Sequence, residues 1–406
     1  MKRTLAFGGL VATAGLLAAG LVTPAQAAGD VASDPLASTG IQAKNIAAFW
    51  LAENAANLIA ATPYNVETKV AAKHLSKGGP AADSKPGIVP AIGDEKKTAA
   101  KSKNVNLPKT TGKVFFADGF KNVGTRQHPK VVAVNPHWCT ATSVQSSYHN
   151  LVATAGHCVY DTVSNKATLN YWVFIPGYYQ GKTPWGVYVG KTAYTHYDYD
   201  VYEDGDRDYA FVTVYNGLKV NGGTADRSAP VNRTEVPKAT WDAYAKNYPF
   251  LLAGTEGGKY YVWKFVDAGR LGDNVGGQGL AYNQKIGQPV FVFGYPSGSH
   301  PDGNHAFSGN TLKWSYGKTF PATAPAIKAE ELQGVKSSFT GEGSLGSAWL
   351  LKYNNGRRLG YLNGVTIGVS DTDGNDRYDT SVSPYFDGET YGVYSAAKNN
   401  WSGSIA

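Results

Sequence analysis

The chain has 406 residues and a formal charge of +7, with 38 Lys and Arg against 31 Asp and Glu. The first 27 residues contribute +2 and residues 28–110 contribute +3, which leaves +2 for residues 111–406. The positive charge is therefore concentrated in the N-terminal part, and it gives no reason to expect nucleic acid as a partner. The length allows one large domain or two ordinary ones.

The N-terminus has the form of a signal peptide. Lys2 and Arg3 precede an apolar run from Leu5 to Val22, and Ala25-Gln26-Ala27 offers small residues at the cleavage positions. The run is marginal for a membrane span and is diluted by Gly and Thr. We expect residues 1–27 to be removed on export, so that the mature protein is secreted, extracellular and soluble, without membrane association.

Residues 28–110 differ in composition from the rest of the chain. The stretch 41–61 is Ala-rich and apolar at helical spacing, and Pro63 stops the pattern. Residues 76–110 are dominated by Lys, Ala, Gly, Pro and Ser, and such a segment buries too little surface to offset its ordering entropy. We predict a helical prosegment over 28–75 and a linker over 76–110, partly disordered. A disordered tail with no processing role stays open as the alternative.

From Lys113 onward the chain is rich in Val, Tyr, Phe, Trp, Thr and Gly. Short β-type runs recur between clusters of Gly, Asn, Asp and Pro, at 114–116, 131–134, 151–154, 171–175, 211–215, 260–265, 289–293, 348–352 and 359–369. Many short strands with turn signals between them predict an all-β barrel or sandwich. The length of residues 111–406 suits two packed barrels in one domain.

The only two cysteines are Cys139 and Cys158. In an exported protein they lie in an oxidising compartment, which favours a disulfide over two free thiols. Two cysteines without a nearby His cluster cannot complete a metal site, so no metal is expected.

A histidine follows the apolar run 151–154 directly. Thr154-Ala155-Gly156-His157-Cys158 resembles the histidine motif of the trypsin/chymotrypsin-type serine peptidases, and 138–143 resembles the strand that supplies the partner cysteine in that family. The resemblance implies two packed antiparallel β-barrels with a cleft between them. It also implies peptide-bond hydrolysis through an acyl-enzyme, with His157 as general base and no organic cofactor.

The same resemblance implies an Asp that orients the histidine. In the family this Asp precedes an apolar residue, an Ala and a β run, which points to Asp208 in Asp208-Tyr209-Ala210-Phe211-Val212. Its carboxylate would fix the imidazole tautomer and stabilise the imidazolium. We expect Asp206, two residues earlier, to be an exposed turn acid.

The nucleophile motif departs from the family pattern of Gly-Asp-Ser-Gly-Gly-Pro. The matching stretch is 340–350, and counting back from Trp349 places Leu345 at the nucleophile position. In this register Gly343 and Gly346 form the oxyanion turn, and the peptidase has no nucleophile. The region is followed by 359–366, which looks like the strand pair after the nucleophile in bacterial relatives.

Two other registers stay open. Counting forward from Thr340 makes Ser344 the nucleophile, with Glu342 at the oxyanion-hole Gly position. Ser347 is the third possibility. The predicted catalytic set is therefore His157, Asp208 and Ser344, and the alternative is a pseudopeptidase that binds a protein or peptide in its cleft.

The sequence gives only weak signals for substrate specificity and for further binding sites. The position at which trypsin-like members carry an Asp is Phe339 or Ser338, and neither predicts cleavage after Lys or Arg. The stretch 371–376 resembles a calcium loop, but its Gly is early and its twelfth position is Val382, so we interpret it as a solvated turn. The partner we expect is a protein or peptide, bound by a monomer. An adhesive protein of the cell wall with a Tyr-rich surface is a third hypothesis.

Overall fold

The computed structural model of the chain describes residues 30–64, 80–93, 105–122, 131–160, 169–223 and 225–406. The predicted signal peptide lies outside the described residues, as do parts of the predicted prosegment and linker. No helix within the described ranges is both long and apolar enough to cross a bilayer.

The N-terminal segment contributes one helix and three short strands: β1 (Val31–Pro35), α1 (Gly40–Ala60), β2 (Thr62–Pro63) and β3 (Gly87–Val89). Thr39 caps α1 by accepting a hydrogen bond from Gln42 N. The helix ends where Ala61 takes an extended backbone before Thr62 and Pro63, as the sequence predicted.

Helix α1 is part of the hydrophobic core. It carries Phe49 and Trp50, which are 1% and 0% exposed. The Trp50 indole donates a 2.6 Å hydrogen bond to Tyr171 O, and its ring lies 5.7 Å from that of Phe115. Because these side chains pack against the first barrel, α1 covers its outer surface.

Six strands form that first barrel: β4 (Thr111–Asn122), β5 (Val131–Val144), β6 (Leu151–Thr154), β7 (Asn170–Pro176), β8 (Tyr188–His196) and β9 (Ala210–Val214). They pair antiparallel in the order β4-β5-β6-β9-β8-β7, and β7 closes on β4. Val114 and Phe116 of β4 pack in one core cluster, whereas Phe115 packs with α1 in another. Both faces of the strand are buried, which explains its continuous apolar run.

Helix α2 (Tyr197–Tyr202) lies between the barrel strands β8 and β9. A mixed segment follows the barrel, with β10 (Gly217–Lys219), β11 (Arg233–Val236), α3 (Lys238–Asn247), β12 (Leu252–Glu256), β13 (Lys259–Trp263), β14 (Val266–Gly269) and α4 (Leu271–Val275). Strands β11, β13 and β12 form a small antiparallel sheet, and β10 pairs with β14. Helix α3 was not predicted from the sequence.

The second half contains β15 (Gly279–Tyr282), β16 (Pro289–Gly294), β17 (Lys313–Lys318), β18 (Phe320–Ala324), β19 (Ala329–Lys336), β20 (Ala348–Asn354), β21 (Leu359–Val365), β22 (Gly368–Ser370), β23 (Thr380–Pro384) and α5 (Gly388–Ala397). It forms two sheets, ordered β17-β16-β20-β21-β15-β3 and β18-β19-β23-β22. Pairing is antiparallel except between β15 and β21. The predicted all-β class is confirmed, with one closed barrel and a second half of two sheets.

The N-terminal segment thus adds strands to both halves. Strand β1 pairs with β8 of the barrel, and β3 pairs with β15 of the second half. Strand β2 lies parallel to β5, which leads directly into the site.

Candidate functional site

The predicted disulfide is present and fixes the turn that carries the histidine. Cys139 of β5 is bonded to Cys158, with their Cα atoms 6.2 Å apart. Cys158 ends a short 3-10 turn, Gly156–Cys158, which follows β6. Thr154 Oγ1 also donates to Thr140 O at 2.8 Å, so the end of β6 is tied to β5 twice.

The structure brings His157 and Asp208 together. His157 Nδ1 donates to Asp208 Oδ2 at 2.5 Å, and His157 N donates to Asp208 Oδ1 at 2.9 Å. The two residues are 4% and 6% exposed. Because Nδ1 carries the proton in this arrangement, Nε2 keeps its lone pair and can act as a base.

Tyr199 of α2 is a site residue that the sequence analysis missed. Its hydroxyl hydrogen-bonds Asp208, and burial together with the negative charge of Asp208 raises the pKa of Tyr199 well above its ordinary value. The phenol therefore stays protonated as a donor to the carboxylate. Tyr199 is one of 26 tyrosines and belongs to no motif, so nothing in the sequence singled it out.

The expectation that Asp206 is exposed is wrong. Its side chain accepts hydrogen bonds from Glu330 N at 2.9 Å and Glu331 N at 2.7 Å, both in β19. The residue is 8% exposed, and burial raises its pKa to about 6. Asp206 therefore ties the loop that carries Asp208 to the second half of the molecule.

The predicted nucleophile loop, residues 340–347, is held against β5. Gly343 and Gly346 have φ values of 71° and 81°, in the left-handed region that favours glycine. A Cβ on Gly343 would collide with the Trp138 ring, and one on Gly346 with Thr140 O. Thr140 fixes the loop further, since its Oγ1 donates to Gly343 O and its N donates to Leu345 O, both at 2.8 Å.

The two serine hydroxyls of the loop point into the loop itself. Ser344 is fully buried, and its Oγ donates to Thr340 O at 2.6 Å. Ser347 Oγ donates to Ser344 O. His157 Nε2 is buried and has no hydrogen-bond partner within the described part of the chain. The structure therefore does not join Ser344 or Ser347 to the histidine.

The backbone N–H groups of the loop differ in the acceptor that each one binds. Ser344 N donates to Gly341 O within the loop, and Gly346 N donates to Thr366 O. Gly343 N instead donates to Tyr64 O at 3.2 Å, and Leu345 N has no acceptor among the residues that the structure describes. Gly343 N thus binds a carbonyl oxygen of the N-terminal segment, and Leu345 N is left without an acceptor within the described residues.

The carbonyl bound at Gly343 comes from the N-terminal segment. Tyr64 follows β2, and its ring stacks on His157 with centroids 5.9 Å apart and planes inclined by 24°. Tyr64 N donates to Trp138 O at 2.9 Å. The chain therefore occupies its own candidate site.

Lys113 of β4 lies behind this site in an aromatic environment. Its Nζ is 3.1 Å from the ring centroid of Trp138, 4.5 Å from that of Tyr178 and 5.5 Å from that of Tyr295. The side chain has no carboxylate partner in the described ranges, and burial lowers the pKa of Lys113 well below its ordinary value. The same Trp138 ring packs against Gly343, so Lys113 supports the loop indirectly, through the Trp138 ring.

This burial predicts a specific pH dependence of stability. Between the lowered folded pKa of Lys113 and the unfolded value of about 10.4, the unfolded chain binds more protons than the folded one. The free energy of unfolding is therefore expected to rise with pH in this window, by about 1.4 kcal/mol per pH unit. Urea denaturation at neutral pH and near pH ~10 measures the rise, which Lys113→Met should remove. The exposed Lys313→Met is the control. Parallel pH curves for the wild type and Lys113→Met would contradict the assignment.

Other predicted positions take structural roles. Phe339 is 2% exposed and packs edge-to-face against Phe307. Asp371 accepts hydrogen bonds from the N–H groups of Gly374 and Asp376, as in a closed turn. No group of three His, Cys, Asp or Glu side chains in the described part of the chain is placed to hold a metal ion.

Comparison with known proteins gives structural neighbours only. No family model and no curated protein matches the chain. Among solved structures, the protease Anisep from Arthrobacter nicotinovorans is 22% identical, with a TM-score of 0.47, over 72% of this chain and 97% of that one. The thermostable serine protease AL20 from an extremophilic microorganism is 22% identical, with a TM-score of 0.46, over 72% and 98%. Neuropsin from mouse brain, a serine protease, is 14% identical, with a TM-score of 0.37, over 71% and 96%. All three neighbours are proteases, and AL20 and neuropsin are serine proteases.

Proposed function

We propose that this protein is a pseudopeptidase, a peptide-binding protein of the serine peptidase class, with Leu345 where a peptidase carries its nucleophile. The observation that carries the proposal is the pair of N–H groups at Gly343 and Leu345. In an oxyanion hole one N–H belongs to the nucleophile and the other to a residue nearby in the same turn. Gly343 N already binds a carbonyl oxygen, and Leu345 N is its counterpart.

The chemistry follows from the side chain at position 345. Leucine has no lone pair, so an acyl-enzyme cannot form there. What is left is a general base without a nucleophile and a backbone donor for carbonyl oxygens. Such a site binds the peptide group of a ligand without cutting it.

Hydrolysis by Ser344 is the second candidate function. The intact pair of His157 and Asp208 favours it, because a base held this closely by its carboxylate is the arrangement that a serine hydrolase needs. For this role Ser344 Oγ would have to leave Thr340 O and turn towards His157 Nε2. Glu342 N would then have to supply one of the oxyanion donors.

We further propose that the protein is exported and cleaved after Ala27, and that it acts outside the cell as a monomer. The form of residues 1–27 and the bond between Cys139 and Cys158 support export, since disulfides persist in oxidising compartments. The ligand we propose is a protein or peptide.

A fluorophosphonate probe tests the two candidate functions. The folded wild-type protein is expected to stay unlabelled, while an active serine peptidase treated in parallel is labelled fully. Intact-mass spectrometry measures the adduct, and peptide mapping locates it. An adduct on Ser344 would overturn the proposal in favour of hydrolysis.

A further inference from the structure

Resting on the proposed function, we propose that Thr62, Pro63 and Tyr64 are an internal ligand of the site. The ligand class that the site accepts is then an extended peptide carrying an aromatic residue after a proline. Every other ligand of this class must displace the chain's own segment.

The backbone of Tyr64 connects the two halves of the molecule. Its N–H donates to Trp138 O of the barrel strand β5, and its carbonyl accepts from Gly343 N in the loop of the second half. Strand β2 continues this contact in parallel register, with Thr62 opposite His137 and Pro63 opposite Trp138. A bound peptide uses the same two groups, because main-chain donors and acceptors at a strand edge bind any extended backbone.

The side chain of Tyr64 supplies the specificity. Its ring stacks on His157 and meets Phe116 and His137 edge-to-face, with centroids 5.4 Å and 5.5 Å away. Aromatic contacts of this kind stabilise binding beyond what the buried apolar area contributes. An aliphatic or polar side chain in place of Tyr64 would lose all three.

Pro63 and Thr62 hold the segment extended. Proline fixes its own φ and restricts the residue before it to extended backbone, which lowers the entropy that binding costs. Thr62 Oγ1 lies 3.0 Å from His137 Nδ1, within hydrogen-bonding distance. The recognised unit is therefore the tripeptide Thr-Pro-Tyr rather than the aromatic ring alone.

Helix α1 holds the segment next to the site. It ends at Ala60, two residues before Thr62, and its buried Trp50 fixes the helix to the barrel. A short tether of this kind gives an effective concentration on the order of 1 mM. An external peptide with a Kd of about 100 µM would then bind roughly tenfold more weakly to the wild type than to a protein whose site is open.

The probe is the hexapeptide of residues 59–64, amidated at its C-terminus and labelled with a fluorophore on its N-terminal amine. Fluorescence anisotropy measures its Kd for the full-length mature protein. Tyr64→Ala is expected to bind it at least about tenfold more tightly than the wild type. Tyr64→Phe keeps the ring and should bind like the wild type. Tyr316→Ala is the matched control, since Tyr316 is 53% exposed on β17 in the second half. A peptide with Ala in place of its tyrosine should bind no variant.

Each outcome has a distinct meaning. Equal binding of the hexapeptide to the wild type and to Tyr64→Ala would still show that the protein binds the peptide. It would overturn the proposal that residues 62–64 are an internal ligand. No binding to a Tyr64→Ala protein with a wild-type circular dichroism spectrum would also overturn it. The proposed function is judged separately, by fluorophosphonate labelling of Tyr64→Ala, whose site is open, beside the wild type.

Discussion

A Leu345→Ser variant is expected to react with a fluorophosphonate probe at least about 10³-fold faster than the wild type. Removing the nucleophile of a serine peptidase costs on the order of 10⁶ in rate, as it does in subtilisin. Only part of that factor is expected to return, because Tyr64 covers the site and Ser347 and Ala348 stand where trypsin-type serine peptidases have Gly and Pro. The reaction is followed by intact-mass spectrometry, and peptide mapping should place the adduct on residue 345.

The expected gain in labelling rate rests on the lone pair of His157 Nε2. Its Nε2 is buried without a partner among the described residues, while Nδ1 is held by Asp208. A serine hydroxyl at position 345 would give this base a proton to accept. The oxyanion produced on attack would lie next to the N–H groups of Gly343 and residue 345.

Two controls distinguish the effect of a new nucleophile from the effect of losing the leucine side chain. Leu345 is fully buried, so Leu345→Ala should lose about 2–5 kcal/mol of stability and stay unlabelled. Leu345→Ser combined with His157→Ala should lose the gained labelling, because the base is gone. Equal labelling of Leu345→Ser with and without His157 would refute the assignment of position 345. So would a folded Leu345→Ser protein that the probe never labels, even with Tyr64→Ala added to open the site.

The sequence predicted the parts of the site that lie in short, local motifs. His157 and Cys158 lie in the turn just after β6, and Asp208 lies two residues before β9, so the local sequence fixes each position. The covalent bond to Cys139 could be predicted because the chain has no other cysteine. The direction of the Ser344 hydroxyl could not be predicted, because it depends on Thr340 O in a folded turn.

Contacts between distant segments were beyond the sequence. Tyr64 reaches Gly343 across 279 positions, and no motif marks either residue as a partner of the other. Asp206 was expected to be exposed because nothing near it in the sequence marks a partner, yet it binds β19, while Asp208 binds His157. Strand β19 itself, with the sequence AEELQGVK, has too many polar residues to be predicted as a strand.

The buried helix α1 was predicted as a helix, but its place in the core was not. Its sequence is apolar nearly all round, with Ile, Phe, Trp and Leu among many Ala residues. A helix of that kind is generally a buried one. This property favours a permanent part of the folded domain over a prosegment that is removed after folding, and the difference can be measured.

Trp50→Ala is expected to lower the free energy of unfolding by about 3–5 kcal/mol. The indole is fully buried, and its loss would leave both a cavity against Phe115 and an unpaired carbonyl at Tyr171. Urea denaturation of the full-length mature protein, followed by tryptophan fluorescence and by far-UV circular dichroism, measures the change. Ile59→Ala on the same helix is the control, because Ile59 is 66% exposed and its loss should cost less than about 0.5 kcal/mol.

The shape of the unfolding transition shows whether α1 is part of the folded domain or a separable prosegment. If the helix belongs to the same cooperative unit as the barrel, the Trp50→Ala transition moves to lower urea as a whole, with the two probes coincident and the m-value unchanged. If the helix is a separable prosegment, a small early transition appears and the main one stays where it was. The second result would also contradict the proposal that Thr62, Pro63 and Tyr64 are an internal ligand. A helix that detaches cannot keep these residues at a high local concentration beside His157.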